Sequence, residues 1–140
     1  STQVSERTNG LTFPRVSTLN RPQPKGVSKT LTLTVTNQGG SHYIFNGADR
    51  LTTHVDAQDP IININYGDTL VFTFNISGTH PFWVKTLPST GTTNGVTTGT
   101  ITNNGQQTLN LTWDTNGVAI GTYYYICQIH NSMKNEIIIS

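Results

Sequence analysis

The sequence predicts an all-β sandwich on three observations. Apolar and polar residues alternate with period two in several separate runs, turns rich in Gly and Asn divide those runs, and no stretch sustains helical spacing. At 140 residues the chain has the length of one domain, enough to bury most of the apolar surface its unfolded form exposes.

Residues 1 to 29 are polar and broken by Pro14, Pro22 and Pro24, and read as an extended arm or linker. The compact domain spans residues 30 to 140. It begins with Leu31, Leu33 and Val35 alternating with Thr32, Thr34 and Thr36, which places one face in a core and the other in water. The alternation recurs at Leu70, Phe72, Phe74 and Ile76, at His80, Phe82 and Val84, and at Leu109, Leu111 and Trp113. Tyr123, Tyr125 and Cys127 share a face of the next run, and the apolar stretch from Glu136 to Ile139 supplies a closing strand. Turn residues stand between these runs at Gly39-Gly40, Gly67-Asp68, Ser77-Gly78, Asn104-Gly105 and Asn116-Gly117. The segment from Leu87 to Thr102 lacks periodicity and reads as a long surface connection.

Composition removes several functions. With 11% charged residues and a net charge of +1 there is no basic field for nucleic acid and no polybasic patch for anionic lipid. No apolar run approaches the length of about 18 residues that a membrane-spanning helix needs. A single cysteine excludes an intramolecular disulfide, so stability must come from the core.

That cysteine opens the most informative segment, Cys127-Gln128-Ile129-His130-Asn131-Ser132-Met133. Thiolate, imidazole and the only methionine follow one another at spacings of three, and two imidazoles, a thiolate and a weak thioether form the ligand set of blue-copper sites. With four His and one Met in 140 residues, His at +3 and Met at +6 after the only Cys arises by chance about two times in ten thousand. The second imidazole must come from elsewhere. His80 is the candidate, because it follows the Ser77-Gly78 turn at the start of a strand and reaches the Cys127 loop if the two strands are neighbours. His42 and His54 have no Cys, Asp or Glu at ligand spacing and read as surface or strand-face residues. Asp68 is explained as a turn residue, and the run Tyr123-Tyr124-Tyr125 as core on one face and cover on the other.

The region from Ile61 to Phe74 with its Gly67-Asp68-Thr69, the triplet Gly78-Thr79-His80, and the run from Gly121 to Met133 together resemble the cupredoxins, the family of plastocyanin, pseudoazurin and amicyanin. The resemblance covers about the last 80 to 110 residues. It implies a Greek-key β-sandwich and one type 1 copper ion held by His80, Cys127, His130 and Met133, with the short Cys-x₂-His-x₂-Met loop similar to that of amicyanin. It further implies a one-electron carrier that meets a redox partner protein through an apolar edge near His130, formed here by Pro81, Phe82 and Ile129. A monomer in a periplasmic or extracellular setting, its export signal already removed, completes the expectation.

The chain departs from the family pattern at three places. Pro81 stands where members commonly carry an Asn that ties the two ligand loops together, and Pro offers neither that side chain nor an N–H. Ile129 replaces a proline before the second histidine, and Ile126 replaces the exposed aromatic that plastocyanins carry before the cysteine. The competing readings are a cupredoxin-like module of a larger assembly and a copper storage or delivery protein. An enzyme is not expected, because four protein ligands leave a metal no open position for substrate.

Overall fold

The computed structural model describes residues 26–140. The sequence-predicted arm therefore lies, up to residue 25, outside the described residues. From Thr30 onward the chain forms ten strands: β1 (Thr30–Gln38), β2 (His42–Ala48), β3 (Thr53–Gln58), β4 (Ile62–Ile64), β5 (Thr69–Phe74), β6 (Phe82–Lys85), β7 (Thr100–Thr102), β8 (Leu111–Asp114), β9 (Gly121–Cys127) and β10 (Lys134–Ile139). There is no helix among the described residues, and so none long and apolar enough to cross a membrane.

The strands make a six-stranded sheet in the order β3-β2-β1-β5-β8-β7 and a four-stranded sheet in the order β4-β10-β9-β6. Both sheets are mixed, since β1 runs parallel to β5 and β10 parallel to β4 while the remaining pairs are antiparallel. The expected all-β sandwich is the observed one.

Alternation explains why the sheets close on each other. In β1 the residues Leu31, Leu33 and Val35 are buried and Thr30, Thr32 and Thr34 exposed, as the period-two pattern requires. Aromatic side chains bridge the layers. Phe45 of β2 packs on Tyr125 of β9 at 4.8 Å between ring centroids, Phe72 of β5 on Phe82 of β6 at 4.7 Å, and Trp113 of β8 edge-on to Tyr123 of β9 at 5.3 Å. Burying each such side chain stabilises the fold by about 1.5–3 kcal/mol.

Two strands position the site. β6 and β9 pair antiparallel with Phe82 opposite Cys127, so the topological condition placed on His80 is met: its strand neighbours that of the cysteine. His80 itself lies two residues before β6 rather than on it. As the last strand of its sheet, β6 has a free side, and the chain covers it. Phe82 N–H donates to the Gln106 carbonyl and Gly105 N–H to the Phe82 carbonyl, Val96 N–H donates to the Val84 carbonyl, and the Asn104 amide bonds both backbone groups of Val84.

The long connection from Leu87 is better anchored than its composition suggests. The fully buried Lys85 directs its Nζ to the carbonyls of Ser89 and Gly91 at 2.7 and 2.8 Å, and Gly91 N–H donates to the Gln128 carbonyl. The segment ends in β7, a three-residue strand that periodicity had not marked.

Candidate metal centre

Cys127 closes β9 with its thiol buried and free of any disulfide. The chain then turns tightly: Met133 N–H donates to the His130 carbonyl, and Cys127 N–H donates to the Met133 carbonyl. These two bonds fold the predicted ligand segment into one compact loop whose last side chain, Met133, is fully buried. Gln128 N–H donates to the Pro81 carbonyl at 2.9 Å, and Trp83 Nε1–H donates to the Gln128 side-chain carbonyl at 3.0 Å. The loops bearing the two histidines are thus joined across Pro81 by its carbonyl, which needs neither the Asn side chain nor an N–H.

The structure brings three predicted donors together. His80 Nδ1 lies 3.2 Å from His130 Nδ1, and Cys127 Sγ lies 3.9 and 3.7 Å from those two nitrogens respectively. Metal bonds of about 2.0 Å to imidazole nitrogen and 2.3 Å to thiolate set donor separations of about 3–4 Å, so the three observed spacings suit a single ion. His80, Cys127 and His130 are also a group whose ligand atoms all lie within 4.8 Å of one another. Soft sulfur beside two imidazoles favours copper over a hard cation.

Each imidazole turns Nδ1 inward and has a glycine against its Nε2 edge. At Gly40, in the β1–β2 turn, a Cβ would stand 2.8 Å from His130 Nε2; at Gly78, with a φ of 76°, it would stand 3.2 Å from His80 Nε2. The positive φ explains the choice of glycine at 78, whereas at 40 close approach explains it. Ser132 Oγ further donates to the Gly40 and Ser41 carbonyls, fastening the ligand loop to the same turn.

Electrostatics suits a metal ligand. Burial, followed by the charge of His130, pushes the His80 imidazole below its ordinary pKa, so it stands neutral at physiological pH with a lone pair to offer. Behind it, Tyr43 donates its O–H to the His80 carbonyl at 2.7 Å. Burial raises the Tyr43 phenol above its ordinary pKa, and the neighbouring Cys127 adds to the shift, so the hydroxyl keeps its proton.

One sequence expectation needs correction. Phe82 is fully buried and cannot belong to an exposed docking edge, because it points inward with Val84 while Trp83 takes the outward position between them. The outer residues near His130 are Ile129, 53% exposed, the half-buried Pro81, and Gly40. His54, read as a surface or strand-face residue, takes the strand face, on β3. It is buried against Asp49 at 2.9 Å, and His42 pairs with Asp59 at 2.6 Å.

Sequence reasoning also missed Gly40, Tyr43, Gln107 and Trp83 as neighbours of the donor group. The glycine of a Gly-Gly turn was visible, but nothing in its spacing tied it to a residue 90 positions later. No family profile matches the chain, and no curated protein matches it. Among solved structures it is similar to the copper protein rusticyanin, with 21% identity, a TM-score of 0.54, and coverage of 89% of this chain and 91% of that one. A second structure, rusticyanin from Thiobacillus ferrooxidans, gives 21% identity and a TM-score of 0.52 over 89% of this chain and 90% of that one.

Proposed function

The chain has the cupredoxin fold, and on that footing we propose that it is a type 1 copper protein that carries one electron at a time. The observation that carries this reading is the convergence of His80 Nδ1, His130 Nδ1 and Cys127 Sγ at separations of 3.2 to 3.9 Å. Met133, buried at the end of the same short loop, is the weak fourth donor. Copper bound there supplies a one-electron Cu(II)/Cu(I) couple.

The chain's own residues do the rest. Cys127 and Met133 sit in the hydrophobic core, which excludes water from the sulfur donors. Backbone bonds close the loop, and Gly40 and Gly78 hold the imidazoles from outside, so the donors keep their places when the charge at the centre changes. Four protein donors leave no position for a substrate, which favours a carrier over an enzyme. Half-buried His130, with exposed Ile129 and the Gly40 turn beside it, offers a small face for brief contact with a redox partner protein. A monomeric protein in a periplasmic or extracellular setting fits this role.

The test is spectroscopic. Cu(II) added to the protein should give an intense blue thiolate-to-copper band that is absent in Cys127→Ser, and voltammetry should show a reversible one-electron wave. A colourless wild-type protein overturns the copper reading; a blue protein that does not cycle overturns the carrier role and favours storage or delivery.

A further inference from the structure

The backbone of His80 is held by side chains at both of its polar groups. Its carbonyl accepts from the Tyr43 hydroxyl, and its N–H donates to the side-chain oxygen of Gln107, which reaches in from the segment between β7 and β8. The same Gln107 amide donates its Nε2–H to the Gly78 carbonyl at 2.6 Å. One side chain therefore closes a clasp over Gly78-Thr79-His80, taking a donor and an acceptor two residues apart.

A carboxamide is suited to do both at once. It offers an acceptor oxygen and N–H donors on one planar group, whereas a carboxylate only accepts and an aliphatic side chain does neither. The need is local. His80 is buried, its N–H lies outside the ladder of β6, and the next residue is Pro81, which has no N–H with which to extend that ladder. Gly78 adds to the need, because its left-handed backbone gives the turn a shape that many other conformations of the same residues would lose.

We propose that Gln107 is a positioning residue for the metal centre, fixing the turn so that His80 Nδ1 stays directed at Cys127 and His130. This rests on the copper reading above. Gln107 touches no donor atom and acts through the His80 peptide.

The experiment compares Gln107→Leu and Gln107→Glu with wild type in the full chain. Three quantities are read: Cu(II) affinity, the visible and EPR signature of the bound ion, and hydrogen exchange of the His80 amide before copper is added. In Gln107→Leu the His80 amide should lose its protection, copper affinity should fall about tenfold or more, and the EPR hyperfine pattern should change. Gln107→Glu keeps the acceptor for His80 N–H and should lose less on all three; it carries the comparison if the leucine variant does not fold. A blue wild-type protein whose variants match it in affinity and spectrum overturns the inference, whether or not the amide exchange changes. A wild-type protein that binds no copper overturns the function proposed above, and the His80 amide then still reports whether the clasp exists.

Discussion

At the end of the sandwich where β5 begins, Arg50 reaches the fully buried Asp68 with two bonds of 2.6 and 2.8 Å, and Asp49 holds the buried His54. At the end where β9 finishes, the proposed donors His80, Cys127, His130 and Met133 are bonded only by backbone groups, a phenol, a carboxamide and one another. At the first end charged groups hold the buried residues directly; at the second the candidate donors themselves are held by neutral groups, and the one carboxylate nearby, Asp59, is spent on His42 and the Tyr43 N–H. The difference follows from what each end must leave available. A buried carboxylate is stable when its lone pairs are occupied, whereas a metal donor must keep its lone pair uncommitted, so it has to be held through its backbone and from behind its ring.

The largest effect expected from this contrast is at the charged end. Arg50→Ala leaves Asp68 buried with only the Lys29 and Asn65 N–H groups, and should cost about 3 kcal/mol in a denaturant melt at pH 7. The blue band should survive. If copper affinity falls in step with stability, the two ends are coupled and the contrast fails.

The converse change is Gly40→Val. Its side chain collides with His130 Nε2 and should lower copper affinity about tenfold, roughly 1.4 kcal/mol, with a smaller change in the melt of the metal-free protein. Equal losses in both measurements would mean that the turn supports the fold rather than the donor.

Acid sharpens the comparison through three carboxylates. Burial pushes Asp49 and Asp68 up, but N–H donors with His54 in the first case and Arg50 in the second outweigh it, and both lie below the ordinary value. Their contribution to stability is present above about pH 4 and is lost as pH falls through the lowered native values. Asp59, near the donor end, goes the other way: burial outweighs His42 and the Tyr43 N–H and raises it. On acidification, carboxyl resonances should therefore show Asp59 taking its proton first, and Asp49 and Asp68 last. The smallest effect is Ser132→Ala, which removes two long bonds of 3.2 and 3.3 Å on an exposed loop and should change stability by less than about 0.5 kcal/mol.

Much of this architecture was legible, and the reason is geometric. β1, β5 and β8 each bury one face and show the other, so their alternation reaches the sequence undisguised, whereas β9 ends with three successive buried residues, Tyr125, Ile126 and Cys127. The edge strand β3 inverts the alternation, burying His54 and exposing Val55, and gives no strand signal. The proximity of His80, Cys127 and His130 was legible because two of them lie within one seven-residue segment and the third follows a marked turn. Their supports were not. Gln107 and Tyr43 meet His80, and Gly40 meets His130, only after distant strands have come together; the Asp partners of His42 and His54 arrive from neighbouring segments in the same way.

The covered side of β6 has a consequence for solubility. A last strand with open N–H and C=O groups is a template for a second chain, and pairing there tends toward aggregation. Here the outward backbone groups of Phe82 and Val84 are already taken by Gly105, Gln106, Val96 and Asn104. The strand next to His80 is thus closed to intermolecular β-pairing, so the end of the sandwich that carries His80 and His130 stays open without offering a template for fibres.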